Sequence, residues 1–171
     1  MERIRAFLKR KNIEISAKRY GVDALGAMAQ GLFASLLMGS IMGTLGTQLG
    51  ISILETAGQY AQGATGFAMA VAIGYALKCP PLVLFSLAAV GGAANSLGGA
   101  GGPLAVLIVT VIAAECGKAV SKETKVDIIV TPFVTIFVGV GLSVLCAPAI
   151  GALASSVGQL IMWATELQPF F

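Results

Sequence analysis

Residues 80–104 read PPLVLFSLAAVGGAANSLGGAGGPL, and the way this stretch is read decides the fold. It is apolar enough to enter a bilayer, yet prolines bracket it and its second half is almost entirely Gly, Ala, Asn and Ser. Glycines and prolines at this density cannot sustain a uniform helix. Backbone that leaves helical geometry inside hydrocarbon has to be buried in protein or line a polar cavity. Gly/Pro-interrupted segments near the bilayer midplane point to binding sites in membrane carriers. The plainer alternative is a glycine-rich link between two spans that holds no ligand.

The composition around this stretch fixes the class. Of 171 residues, 57% are hydrophobic and 11% charged, and the mean hydropathy is +0.90. A soluble domain carries about a quarter charged residues, so the chain reads as a polytopic membrane protein. Its apolar runs are continuous rather than alternating, and its 22 glycines suit closely packed helices, not a β-barrel. The expected fold is all-α, with about six membrane segments near 24–49, 61–77, 81–97, 103–120, 128–147 and 149–167. The Gly-rich one is broken or re-entrant. These segments form a single transmembrane domain over 23–171, preceded by an arm over 1–22.

The arm is amphipathic. Ile4, Phe7, Leu8 and Ile15 fall on one face, and seven of the eleven basic residues of the chain precede residue 21. Such a segment lies on a membrane surface and contacts lipid. Its basic excess marks the cytoplasmic side, so the N-terminus is expected inside. A break near Asn12 divides it, with Ser16 as N-cap of the second piece. The alternative role for the arm is the binding of a regulatory partner.

The first span carries the GxxxG pairs Gly39/Gly43 and Gly46/Gly50, which allow close helix approach. The stretch Gly50–Gln59 reads as an outside loop. A small-residue face, Gly66, Ala70 and Gly74, marks the second span, and Ala147, Gly151 and Ser155 mark the last. The loop SKETKVD, residues 121–127, with Lys118, is the one charge cluster after the arm and belongs on the inner side. Pro148 reads as the end of one span, and six segments leave both chain ends inside.

Candidate binding groups stand at two places. Thr165, Glu166 and Gln168 supply hydroxyl, carboxylate and amide within four residues, ahead of Pro169. A carboxylate near the end of an apolar span is a functional-site candidate by default, although it equally fits a carboxylate in interfacial water. Asn95 and Ser96 are the polar groups of the Gly-rich segment, suited to contacting a polar ligand or capping a broken helix. No catalytic residue is identified. The chain has no histidine, no phosphate-loop signature and no paired carboxylates within one element, so no metal site and no cofactor are predicted. Cys79, Cys116 and Cys146 are far apart in sequence and read as small apolar packers. Nothing in the charge pattern indicates nucleic acid.

The run 9–39, KRKNIEISAKRYGVDALGAMAQGLFASLLMG, resembles the N-terminus of bacterial phosphotransferase-system EIIC-like membrane proteins, among them the PfoR-type regulators. KCPPLVLFS at 78–86, TPFVT at 131–135 and TELQPF at 165–170 are similar to that family too. The resemblance implies a sugar-permease-like helical fold in the bacterial cytoplasmic membrane, acting as a homodimer. It implies a sugar or other small polar solute as ligand, with Glu166 and Pro169 similar to the Glu–Pro element that contacts sugar in those permeases. Phosphorylation of the solute would come from separate EIIA and EIIB phosphoryl carriers. The permeases commonly also use a membrane-embedded histidine, which this chain lacks. Two further expectations come with the resemblance. The protein is expected to be a permease component, a membrane-embedded regulator that transports nothing, or an inactive fragment, and the chain to be either an N-terminal half or a short form that dimerises.

Overall fold

The computed structural model describes residues 2–166, with side chains described for 6–163. Among these residues every regular element is helical. Helix α1 is Glu2–Arg10. Helix α2 is Arg19–Leu49, interrupted by the π turns Arg19–Asp23 and Phe33–Leu37. Helices α3, Ser52–Gly63, and α4, Thr65–Ala76, are nearly collinear in their bonding. The amide of Ala64 between them donates to Tyr60 O and its carbonyl accepts from Ala68 N. Helix α5 is Pro81–Gly98, α6 is Gly102–Val120 and α7 is Asp127–Glu166.

Helices pair with their chain neighbours in antiparallel register. Gly31 of α2 abuts Ala68 and Met69 of α4, while Gly39 and Gly46 abut Gly58 and Glu55 of α3. Gly66 of α4 lies against Gly91 of α5, and Gly117 of α6 lies against Val83 at the far end of α5. Gly101, in the turn, meets Ile150 and Gly151 of α7. Small residues at these crossings let backbones approach to contact, which supplies the packing energy that water exclusion cannot supply within lipid. A fully buried core of Met69, Ile73, Leu87, Val90, Val106 and Val109 lies among α4, α5 and α6.

The Gly-rich stretch is the tip of the α5–α6 hairpin. A single 3₁₀ turn, Gly99–Gly101, reverses the chain, and Gly99 takes φ 49°, ψ −122°, a conformation open to glycine alone. Each arm of 18 or 19 residues is about 27 Å long at 1.5 Å per residue, close to the ~30 Å hydrocarbon thickness. Three runs are long and apolar enough to cross a membrane, Arg19–Leu49, Pro81–Val120 (this hairpin) and Asp127–Trp163.

The segment boundaries differ from expectation in two places. First, a loop was expected over 50–59, but residues 52–59 are helical within Ser52–Gly63. The turn shrinks to Gly50–Ile51, with Gly50 at φ 67° closing α2 and Ile51 N bonding back to Gly46 O at 2.9 Å. The polarity of Glu55 suggested a loop, but its stem lies against Gly46. Second, 128–147 and 149–167 are not two spans. Residues 127–166 form one 40-residue helix with Pro132 and Pro148 inside it. A proline removes one helical hydrogen bond, a loss tolerated where neighbours and local adjustment re-satisfy the freed groups. Among the described residues one continuous helix thus stands where two segments were expected, and the far end of α7 lies on the face opposite the arm.

Candidate functional site

On the arm face, three helix ends and the arm converge. Helix α4 stops in a Schellman motif: Cys79 N donates to Gly74 O at 3.0 Å and Lys78 N to Tyr75 O at 2.9 Å, with Lys78 left-handed at φ 54°. Helix α1 ends the same way, Ile13 N on Leu8 O and Asn12 N on Lys9 O, with Asn12 at φ 55°. Asparagine tolerates that region. A lysine pays roughly 1–2 kcal/mol for it.

The last carbonyls of α4 carry the negative end of the helix dipole, and cations gather there. Leu77 O accepts from Arg19 Nη2 at 2.8 Å and from Lys118 Nζ at 3.3 Å. Lys118, near the end of α6, has a side chain only 1% exposed. It also donates to Asn12 O at 3.0 Å and pairs with Glu115 at 2.9 Å. Arg19 reaches Asn12 Oδ1 at 3.3 Å and Glu14 at 3.2 Å. The arm is thus fastened to the bundle by two cations that share one helix terminus.

A second clasp joins α1 to the 121–126 loop. Arg10 pairs with Glu123 at 2.8 Å, and Lys11 contacts both Glu123 and the Ser121 carbonyl. The hydrogen bond from Lys11, with the nearby Arg10 charge, holds the Glu123 carboxyl below its ordinary value. Between the two clasps lies a cavity of about 350 Å³ lined by Arg10, Lys11, Lys78, Lys118 and Lys122, with Glu123 as the carboxylate among its lining residues. Cys79 sits beside it, and burial pushes its thiol up to about 11, which makes it a packing residue at neutral pH.

The sequence-predicted polar residues occupy the opposite end. Asn95 is half-buried on the last turns of α5, its side chain pressed against Gly102. Ser96 is exposed. Neither side chain makes a hydrogen bond among the described residues. Gln168 and the side chains of Thr165 and Glu166 lie outside the described residues. The α7 backbone is helical to residue 166, fifteen residues past the Gly151 contact with the hairpin tip, or about 22 Å along its axis. The helix thus carries residues 165–166 well past the hairpin of the same chain.

The break at Asn12 agrees with the sequence reading, as do the close-packing faces at Gly39, Gly46, Gly66 and Gly74. Ala147 and Gly151 pack on Gly98, while Ser155 is exposed. What sequence reasoning missed is the arm-face cluster. Lys118 and Glu115 are spaced i, i+3 on one helix, a legible signal, but their docking on residues more than a hundred positions earlier is not.

Residues 22–171 match the family model described as Phosphotransferase system, EIIC. No curated protein matches the chain, and no solved structure does.

Proposed function

The chain belongs to the EIIC family of the phosphotransferase system, and we propose that it is an integral-membrane component of a permease for a sugar or another small polar solute. The observation that carries this reading is the family match together with the α5–α6 hairpin, whose arm over 81–98 is one unbroken helix and not the broken or re-entrant segment expected. At the hairpin tip the Asn95 amide and Ser96 hydroxyl stand without protein partners among the described residues. A polyhydroxylated solute can pair with both groups.

The Glu166, Thr165 and Gln168 set completes the site in this proposal. We assign this set to a site shared with a second copy, within a homodimer. Phosphorylation of the solute falls, in this proposal, to separate EIIA and EIIB carriers. In this proposal the arm face is cytoplasmic, in a bacterial cytoplasmic membrane. The seven basic residues before residue 21 and Lys118, Lys122 and Lys125 all belong to this face.

A second reading, a membrane-embedded regulator of the PfoR type without transport, draws on the arm-face cluster, which is more elaborately bonded than the hairpin tip. Uptake of a panel of labelled hexoses by cells expressing the chain separates the two. Glu166→Gln should abolish uptake with membrane expression intact; unchanged uptake in that variant overturns the Glu166 site, and no uptake by wild type overturns the permease assignment. No uptake by wild type, with regulated transcription lost on deleting residues 2–11, supports the regulator.

A further inference from the structure

We propose that the basic cavity on the arm face is a binding site for a phosphate group, and that it stands whether or not the chain carries a solute. Five cationic side chains line it against the Glu123 carboxylate. Glu123 is already engaged by Arg10 and Lys11, and Lys118 by Glu115 and two carbonyls. The ammonium groups of Lys78 and Lys122 make no hydrogen bond or ion pair among the described residues, although Asp127 lies within electrostatic reach of Lys122. A concave site holding this excess of one sign raises the local concentration of the opposite charge.

The backbone supports the same assignment. Among the described residues three non-glycine positions have positive φ, Asn12, Lys78 and Lys122, and all three line this cavity. Strained backbone gathers at ligand sites more often than elsewhere. At Lys78 and Lys122, the strained residue is also an unpaired cation.

Phosphate suits the cavity better than a carboxylate because several separate ammonium groups and one guanidinium converge on it from different elements. The phosphate oxygens can accept from Lys78 and Lys122 together, with the charge of the engaged Arg10, Lys11 and Lys118 around them. Its position narrows the source. Leu77, Pro80 and Lys118 mark the ends of apolar helices, so the cavity sits at headgroup depth, where anionic lipid phosphates are concentrated. The same chemistry would take a soluble phosphate, and the two sources are separable by experiment.

The full chain, purified in a neutral detergent, is titrated with dioctanoyl phosphatidylglycerol, with dioctanoyl phosphatidylcholine and with inorganic phosphate, and saturable binding is followed by calorimetry. The comparison is Lys78→Asn/Lys122→Asn, which removes both free ammonium groups while placing at each position a residue that tolerates left-handed backbone. Phosphatidylglycerol should bind wild type saturably and the double variant about thirtyfold more weakly, from the usual contribution of two basic residues near an anionic surface. Saturable binding of inorganic phosphate that is lost in the variant supports the site with a soluble source. No saturable binding of either anion overturns the proposal. So does binding equally strong in the variant, or binding of phosphatidylcholine as tight as that of phosphatidylglycerol. Variant folding is checked by its melting temperature in the absence of ligand.

Discussion

Replacing Lys118 tests whether the arm is part of the fold. Lys118→Met keeps the length and apolar stem and deletes the ammonium. Three bonds go with it, to Glu115 at 2.9 Å, Asn12 O at 3.0 Å and Leu77 O at 3.3 Å. Breaking a buried ion pair by removing one partner costs about 3–5 kcal/mol, mostly because the remaining charge stays desolvated. The Glu115 side chain is 16% exposed, so water relieves part of that cost and the lower limit, about 3 kcal/mol, applies. Leu77 O keeps its bond from Arg19, which limits the loss further. For a chain of this size 1 kcal/mol moves Tm by about 2–4 °C, so the expected drop is about 6–12 °C. Adding Glu115→Gln removes the stranded charge, and the double variant should recover more than half of the loss. Thermal unfolding of the wild type, both single variants and the double variant in one detergent gives the coupling directly. A drop below about 2 °C for Lys118→Met, or strictly additive single effects, refutes the reasoning.

Two further outcomes follow from the packing and the clasp. A methyl group at Gly91 would overlap the Gly66 carbonyl and the Ala70 side chain, whereas one at Gly141 meets open space. Gly91→Ala should therefore lose at least 1–3 kcal/mol of stability, while Gly141→Ala should be neutral or gain up to about 1 kcal/mol; equal melting temperatures would contradict the proposed α4–α5 approach. The Glu123 clasp should depend on pH. Its carboxyl is held below the ordinary value of 4.5 in the docked state, so docking is fully supported at neutral pH and weakens as pH falls through 4.5 and below the lowered value. The distance between spin labels on α1 and on the 121–126 loop should lengthen over that acid range and be insensitive to it in Glu123→Gln.

Membrane character was legible because it rests on local composition, and the hairpin tip because glycine density is local too. Helix ends were legible where a residue declares itself, as Asn12 does. Pro148 misled because the rule that proline ends a helix is a rule for water. In a bundle its missing bond is one among forty residues of continuous helix. Glu55 misled in the opposite direction, since its charge was read without the glycine that receives its stem. The arm-face cluster was illegible in principle. Arg10 and Glu123 are 113 positions apart, and nothing local to either marks the other as its partner.

That separation also bears on how the protein is made. Arg10 leaves the ribosome 113 residues before Glu123, which at 5–20 residues per second is roughly 6–23 s. Through this interval α2 to α6 are synthesised while the arm's basic residues have no protein acceptor on the later loop. The arm, made before α2, therefore completes this contact only after α6 is made. Its charge is free to act on the membrane surface during insertion, before Glu123 and the Ser121 carbonyl take it up.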